Sequence, residues 1–106
     1  MRVDKWLWSV RLYKTRSQAS HDCSTGKVKR SGKALKPSTT LKIGDTLEVP
    51  SSDNAYKRNI EVIQLIDKRV GAPLARKAYI DHTPAEILSE VEKRRLANKV
   101  NRQARN

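Results

Sequence analysis

Apolar residues at the start of the chain recur at the spacing of an amphipathic helix. Positions i, i+3, i+4, i+7 and i+10 of one helical stripe are filled by Val3, Trp6, Leu7, Val10 and Tyr13. Charged residues lie between the members of the stripe. The pattern therefore predicts a first helix that buries one face against the rest of the protein.

Two further apolar residues, Trp8 and Leu12, lie four positions apart on roughly the opposite side of this helix. One interpretation is that they pack on a second element, such as the C-terminal helix. The other is that Trp8 is an exposed aromatic residue that stacks on a base or contacts a partner. The burial of the Trp8 side chain distinguishes the two interpretations.

A second helix is predicted to begin at Arg16, because Thr15 and Gln18 have the spacing of a capping box. Gly26 is expected to end this helix in the left-handed conformation. Lys14 and Arg16 place two cations where the helix dipole disfavours positive charge. That placement becomes favourable if an anion binds among them.

Alternating apolar and polar residues follow, separated by turn residues, and they predict a small sheet. Segments 27–30 and 33–36 flank Ser31-Gly32, which is a plausible two-residue turn of a hairpin. A half-buried strand is predicted over residues 46–49. The longest predicted strand covers residues 57–66, where paired apolar residues indicate a bulge or burial on both sides.

The C-terminal part of the chain is expected to be helical. A short helix is predicted over residues 71–78, and a last helix over residues 84–102, with Thr83 as its cap. The basic run at residues 93–95 is either a solvated helix face or an RNA contact. The core face of the last helix is expected to comprise Ile87, Leu88, Val91, Leu96 and Val100.

Positive charge is concentrated in the first part of the chain. Residues 2–44 contain eleven Lys and Arg residues and only two acidic residues, Asp4 and Asp22, so they carry +9 of the total net charge of +12. A folded basic module of this kind is typical of a protein that binds a polyanion, and nucleic acid is the first expectation. Electrostatic binding to DNA or to an anionic membrane is the alternative.

The sequence also predicts a single-domain, soluble and cytoplasmic protein. It contains no apolar run near the roughly 20 residues that span a bilayer, and charged residues occupy the place of a signal-peptide core. The one cysteine, Cys23, cannot form an internal disulfide, which favours a reducing compartment. Nothing indicates an obligate dimer, so a monomer is expected.

No arrangement typical of catalysis or metal binding is found in the sequence. His21, Asp22 and Cys23 are consecutive, but consecutive residues on a helix point about 100° apart and do not converge. Asp4 is interpreted as an acidic residue in the first turn of a helix, not as a general base. We therefore expect no enzymatic activity, no cofactor and no metal.

A set of residues in the first half of the chain forms a recognisable pattern. Its members are Arg2-Val3-Asp4-Lys5-Trp6-Leu7-Trp8, Arg11, Lys14-Thr15-Arg16, Ala19, Gly26-Lys27-Val28, Gly32, Lys36-Pro37-Ser38 and Gly44-Asp45. This pattern resembles the S4-type RNA-binding domain, the module named after a small-subunit ribosomal protein. The opening is most similar to the bacterial fifteen-kilodalton heat-shock proteins, which associate with ribosomes. The resemblance is specific over residues 2–49 and loose beyond them.

The resemblance implies an α+β fold, with an S4-type, αL-like arrangement of two N-terminal helices on a small, mainly antiparallel sheet and a C-terminal helix. It implies an RNA-binding domain with its following strand over residues 1–66. Residues 67–106 would form a C-terminal extension, ending in a basic helix, within the same compact unit. The side chains implied in RNA binding are Arg2, Lys5, Arg11, Lys14, Thr15, Arg16, Ser17, Lys27, Lys29, Lys33, Lys36 and Ser38.

The function implied by the resemblance is non-catalytic binding of structured ribosomal RNA. The expected partner is the large ribosomal subunit with a stalled nascent chain on transfer RNA, in ribosome rescue or the heat-shock response. The alternatives are an RNA-recognition partner of an RNA-modifying enzyme and a ribosome-assembly factor. With two Trp, three Tyr and no Phe, the chain lacks the aromatic platform of single-strand binders, so phosphate-dominated binding to folded RNA is expected.

Overall fold

The structure is a computed structural model that describes the backbone of residues 1–104 and the side chains of residues 1–94 and Leu96. Its helices are α1 (Val3–Ser9), α2 (Arg16–Ser24), α3 (Ala72–Lys77) and α4 (Ala85–Ala104). Its strands are β1 (Lys29–Arg30), β2 (Lys33–Ala34), β3 (Thr46–Pro50), β4 (Lys57–Val62) and β5 (Tyr79–Asp81). None of the helices within residues 1–104 has the length and apolar content needed to cross a membrane.

The first helix is shorter than its apolar stripe predicts. Trp6 and Leu7 are fully buried, as expected for the stripe. Arg11, however, has a φ of 62°, a left-handed backbone conformation that an α-helix cannot contain. The helix therefore ends at Ser9, and the Tyr13 N–H turns back to donate to the Leu7 carbonyl at 3.3 Å.

Trp8 is half-buried beneath a cation from a distant part of the chain. The Arg69 guanidinium carbon lies 5.5 Å from the centroid of the Trp8 ring, within the range of a cation–π contact. The same guanidinium donates to the Trp8 carbonyl at 2.8 Å and to the Tyr13 carbonyl at 3.1 Å. The Arg69 side chain that covers Trp8 thus comes from the segment before α3.

The start and end of α2 follow the predicted signals. The Thr15 hydroxyl accepts a hydrogen bond from the Gln18 N–H at 3.1 Å, which confirms the N-terminal cap. Gly26, two residues beyond the last helical residue, has a φ of 79° and reverses the chain without the steric cost that a side chain would add. Ala19 and Cys23 are buried on the face that packs on α1.

The five strands form one antiparallel sheet in the order β2-β1-β3-β4-β5. The hairpin turn between β1 and β2 consists of Ser31 and Gly32, with φ values of 53° and 77°. Positive φ at both central residues is the type I′ geometry that matches the twist of a two-residue hairpin. The predicted turn is therefore confirmed.

The fourth strand ends earlier than predicted, at Val62 instead of residue 66. Beyond it, the N–H groups of Ile63 and Gln64 both donate to the Ala78 carbonyl, at 2.9 and 3.0 Å. Ile63 and Gln64 thus lie opposite a single residue, Ala78, which is the arrangement of a β-bulge. The partner leads into β5, a three-residue strand that the hydrophobic pattern did not reveal because it is too short to show alternation.

The hydrophobic core lies between the helix pair and one face of the sheet. Leu47 and Val49 of β3, and Ile60 and Val62 of β4, are fully buried at alternate positions of their strands. They share one cluster with the α1 stripe, and the Trp6 indole N–H donates to the Gln64 carbonyl at 2.8 Å. This packing fixes α1, and with it α2, relative to the sheet.

The last helix is less buried than its sequence predicts. Val91 is buried, but Ile87 and Leu88 are 38% and 42% exposed, so the expected core face is largely wrong. The Thr83 hydroxyl donates to the Asp81 carboxylate and accepts from the Asn59 N–H, which ties the start of α4 to the sheet. Leu96 is exposed. The expectations that involve the side chains of Arg95 and Val100 lie outside the described residues.

Candidate nucleic-acid interface

A buried carboxylate organises the start of α1. The Asp4 side chain is only 3% exposed, and its Oδ1 accepts the Lys5 N–H at 2.7 Å. Arg2 binds the same carboxylate with two hydrogen bonds, from Nε to Oδ1 and from Nη2 to Oδ2, both 3.1 Å long. This parallel fork is the most specific geometry available to an Arg–carboxylate pair.

Arg16, the first residue of α2, approaches the same carboxylate. Its Nη2 lies 3.7 Å from Asp4 Oδ1, and its side chain is 46% exposed; the Arg2 side chain is 50% exposed. Two guanidinium groups thus share one carboxylate and leave a local net charge of +1. Because Arg2 uses two of its five N–H donors on Asp4, both groups keep donors that face solvent. We call Arg2 and Arg16 the arginine pair.

The arginine pair borders a shallow depression on the surface of α2. Its remaining wall is formed mainly by Ser17, Ser20, His21 and Ser24 of that helix. Asp4 also lines the depression, and the two guanidinium groups leave it a net positive charge. Hydroxyl and guanidinium donors around such an open depression suit an anion with several acceptor oxygens, such as a phosphate group. The two predicted cations at the start of the first and second helices therefore lie together, with Ser17 beside them.

The segment that contains Lys36 and Ser38 lies against the start of α1. The Val3 N–H donates to the Thr39 carbonyl at 2.9 Å, and the Asp4 N–H donates to the Pro37 carbonyl at 3.4 Å. These bonds bring residues 36–39 next to Arg2 of the arginine pair although more than thirty positions separate them from Arg2 in sequence. Lys36 and Ser38 are both exposed.

The hairpin lysines occupy the edge of the sheet. Lys29 is half-buried on β1, directly opposite Ala34 and Glu48, whereas Lys33 on β2 is exposed and lies opposite Arg30. Glu48 opposes part of the Lys29 charge because directly paired residues share one face of the sheet. The positive charge of Lys33 is therefore less neutralised by a paired residue than that of Lys29.

Arg30, which the sequence did not single out, connects this hairpin to the rest of the candidate surface. Its Nη1 donates to Asp45 Oδ2 at 3.0 Å and to the Thr40 carbonyl at 3.3 Å. Asp45 also accepts the Lys42 N–H at 2.9 Å. The sequence marks Gly44-Asp45 as a polar turn. It does not indicate that Asp45 pairs with Arg30, because the two residues are fifteen positions apart.

The remaining predicted residues are spread more widely. Arg11 is exposed beyond the C-terminal end of α1, whereas Arg2 precedes its N-terminal end, and the seven residues of the helix span about 10 Å. The Arg11 Nη1 lies 3.5 Å from the Val70 carbonyl oxygen. Lys5 is half-buried on α1. Lys14 lines a groove beside α2, and Lys27 lines a depression next to that groove. Thr15 uses its hydroxyl oxygen to cap α2.

The consecutive His21, Asp22 and Cys23 point to different surroundings, as their helical spacing predicts. His21 is exposed, whereas the Asp22 carboxylate accepts the Tyr13 hydroxyl at 2.7 Å. Burial and this hydrogen bond raise the pKa of Tyr13 above its usual range. Burial, with a smaller contribution from the Asp4 and Asp22 carboxylates, raises the pKa of Cys23 to about 12. Cys23 is therefore a neutral, packed thiol at physiological pH and not a nucleophile.

The similarity to known proteins agrees with this arrangement. Residues 1–47 match the family model of the S4 domain. Heat shock protein 15 of Escherichia coli is 34% identical over 101 residues, which cover 95% of this chain and 73% of that protein. This chain belongs to the heat shock protein 15 family. The heat shock protein 15 homolog of Aeromonas salmonicida is 36% identical over 92 residues, 87% of this chain and 67% of that protein.

A solved structure and a more distant relative extend the comparison. The structure of Vibrio cholerae heat shock protein 15, described as trimeric, has a TM-score of 0.76 and 32% identity, and the match covers 94% of this chain and 97% of that one. A Helicobacter pylori protein named RQC P-site tRNA stabilizing factor is 43% identical over 49 residues, 46% of this chain and 58% of that protein. The predicted α+β fold and the S4-type resemblance are confirmed for this heat shock protein 15 family member.

Proposed function

We propose that this protein binds structured ribosomal RNA through the surface built on α1, α2 and the β1–β2 hairpin, without catalysing a reaction. The observation that carries the proposal is the arginine pair, two half-exposed guanidinium groups beside one buried carboxylate. Two hydrogen bonds to Asp4 fix the Arg2 guanidinium, so this group loses little side-chain entropy when it meets phosphate, and Arg16 lies next to it through a longer ion pair.

Charge and shape favour folded RNA as the ligand. Residues 2–44 carry +9 of the net charge, and the arginine pair, residues 36–39 and the hairpin are linked through α1 and the loop after β2. An A-form helix presents phosphates and 2′-hydroxyl groups while its deep major groove hides base edges. A rigid set of cations therefore selects RNA by its shape more than by its sequence.

In this proposal the other predicted residues have graded roles. Lys33, Lys36 and Ser38 extend the contact along the hairpin side, whereas Lys5, Lys29 and Arg11 contribute at its margins. Thr15 acts indirectly, because its hydroxyl shapes the start of α2. Residues 1–66 form the RNA-binding unit and residues 67–106 an extension of it, acting as a monomer in the cytoplasm.

The finer proposal is that the ligand is the large ribosomal subunit that carries a stalled nascent chain on transfer RNA. The names of the relatives support it: one group is heat shock protein 15, and another, matched over 49 residues, is a P-site tRNA stabilizing factor. The second name supports a role with P-site transfer RNA, and we propose that the same basic surface contacts ribosomal RNA and transfer RNA.

Co-sedimentation with purified ribosomal subunits tests this function. We expect the protein to travel with free large subunits, to bind them more tightly when peptidyl-transfer RNA is present, and to remain unbound with small subunits. Equal binding to both subunits, or none, would remove the ribosomal assignment. If the protein instead co-purifies with an RNA-modifying enzyme and without ribosomal RNA, its function would be that of an RNA-recognition partner of that enzyme.

A further inference from the structure

Three neighbouring depressions lie on this surface. The depression beside the arginine pair shares Ser17 and His21 with a groove that runs between α2 and the loop connecting β3 to β4. That groove, which we call the loop groove, has a volume of about 540 Å³. It shares Pro50 and Asn54 with a third depression on the far side of the loop. The shared lining residues place the three depressions side by side, across α2 and around the loop, and we call this series the path.

Leu12, Tyr13 and Pro50 contribute apolar surface to the loop groove, and most of its other lining side chains carry hydrogen-bond donors. Lys14 and Arg58 supply positive charge, while Gln18 and Asn54 supply amides. Asp22 is the acidic residue among the groove's described lining residues, and its carboxylate already accepts the Tyr13 hydroxyl. The lining therefore complements an anionic, oxygen-rich chain.

The third depression continues the same chemistry. Lys27 and Lys57 line it together with Tyr56, and no acidic residue is among its described lining residues. The basic residues along the whole path are Arg2, Arg16, Lys14, Arg58, Lys27 and Lys57, and the acidic ones are Asp4 and Asp22. Six positive and two negative charges leave a net charge of +4, and both carboxylates are already engaged by protein donors.

The loop that forms one wall is tied together internally. The Ser51 hydroxyl is buried, donates to the Asp53 carboxylate at 2.8 Å, and accepts the N–H groups of Ala55 and Tyr56 at 3.1 and 3.2 Å. Asn54 has a φ of 57°, the left-handed turn that Asn tolerates better than most residues. The wall is thus preorganised, and the bonded Asp53 carboxylate is turned toward the loop's own hydroxyl and N–H donors.

Arg58 anchors the base of this wall. Its Nη2 donates to the Pro50 carbonyl at 2.6 Å, which closes the loop across β3 and β4. Its Nε is buried and has no hydrogen-bond partner among the described residues. The Arg58 guanidinium therefore stabilises the loop through Nη2, and its positive charge also lines the loop groove.

We infer that the loop groove is a second RNA contact, in which the sugar-phosphate backbone continues from the arginine pair across α2 and reaches Asn54 and Lys57. This inference rests on the proposed RNA binding and extends it to a loop outside residues 1–47, the part matched to the S4 domain. RNA is favoured over an acidic peptide because the loop groove adjoins the depression beside the arginine pair, with which it shares Ser17 and His21.

Charge reversal at Lys57 tests the inference. With deproteinised large-subunit ribosomal RNA as the probe, Lys57→Glu should raise Kd about tenfold and lower the slope of log affinity against log salt by about 1 or more. Lys77→Glu is the matched control, because Lys77 is equally exposed but lies on α3, beside β5 at the opposite edge of the sheet from the hairpin. We expect the control to change Kd less than twofold.

Cross-linking provides a second measurement that does not depend on the loss of a charge. Ser52→Cys in a Cys23→Ala background, labelled with a benzophenone maleimide, should cross-link to the RNA, whereas Ile80→Cys in the same background should not. Ser52 lines the groove, and Ile80 is exposed on β5, at the opposite edge of the sheet from the hairpin. Cross-linking that polyglutamate suppresses as well as unlabelled RNA does would assign the groove to an acidic protein and overturn the inference.

The outcomes separate this inference from the proposed function. Suppose that Lys57→Glu binds RNA like its control and Ser52→Cys fails to cross-link, while Arg16→Ala binds RNA weakly. The loop groove is then not an RNA contact, and the proposed surface on α1, α2 and the β1–β2 hairpin is retained. If Arg16→Ala and Lys57→Glu both bind like the unmodified protein, the proposed RNA surface itself is wrong. Circular dichroism of each variant verifies that the fold is retained.

Discussion

Replacement of Arg16 by alanine should separate the contribution of this side chain to RNA binding from its contribution to folding. The Arg16 contact with Asp4, at 3.7 Å, is too long for a hydrogen bond and involves a side chain that is 46% exposed. Exposed ion pairs of this kind contribute roughly 0.2–1 kcal/mol. Arg16→Ala should therefore lower the free energy of unfolding by less than about 1 kcal/mol, while Arg2 continues to neutralise the buried carboxylate.

The effect of the same substitution on RNA affinity should be larger. Loss of a charge-assisted hydrogen bond to phosphate costs roughly 1–3 kcal/mol, which corresponds to an increase in Kd of about 5- to 150-fold. One lost phosphate contact should also reduce the slope of log affinity against log salt by about 1. Arg16→Lys should keep most of that slope but recover only part of the affinity, because an ammonium group lacks the planar fork of donors.

The assay is fluorescence anisotropy with large-subunit ribosomal RNA between about 50 and 200 mM salt, a range over which phosphate contacts change affinity strongly. Urea unfolding of each variant gives the stability in parallel. Lys77→Ala is the matched control for loss of one exposed cation. An Arg16→Ala protein with unchanged affinity and slope would refute the assignment of Arg16 to the RNA surface.

Three further predictions concern the supports of this surface. Asp4→Ala leaves two guanidinium groups without their carboxylate and should lower the free energy of unfolding by about 1.5–3 kcal/mol in urea titrations. Gly26→Ala forces a side chain into a left-handed conformation with φ of 79° and should cost about 1–2 kcal/mol in the same assay. The Cys23 thiol should react with a disulfide reagent at pH 8 only after unfolding. The pKa of the Cys23 thiol is raised from 9.0 to about 12 in the folded protein, so between these pH values the unfolded chain binds fewer protons than the folded one. The free energy of unfolding should therefore fall as the pH rises from 9 to 12, and Cys23→Ala should lack this decrease.

Each of these predictions has an outcome that contradicts it. Wild-type stability of Asp4→Ala would mean that the carboxylate does not organise the arginine pair. An unaffected Gly26→Ala protein would exclude a strained C-terminal cap on α2. Rapid modification of Cys23 in the native protein, or identical pH profiles with and without it, would contradict its burial as a neutral thiol.

Features set by local chemistry were predictable from the sequence. The cap of α2 depends on Thr15 and Gln18, and the hairpin turn on Ser31-Gly32, so neighbouring residues suffice to specify them. The charge surplus of residues 2–44 could likewise be counted directly. These local signals identify the basic segment of the chain without any knowledge of the packing.

Features set by packing were not predictable in the same way. The end of α1 at Ser9 depends on the left-handed Arg11, which no composition signal marks. The arginine pair depends on α2 packing beside α1, which alone brings Arg16 to Asp4. The interpretation of Asp4 as a first-turn acid was correct in position, but its role in holding two guanidinium groups required the tertiary structure.

The salt dependence of RNA affinity, measured with excess duplex DNA as competitor, tests the central claim most directly. For the intact protein and large-subunit ribosomal RNA, log affinity should fall against log salt as though about five to eight phosphates were neutralised. Duplex DNA should compete weakly, because the cations match the contour of folded RNA. A slope near zero, or equal competition by DNA, would contradict an RNA-shaped cationic surface.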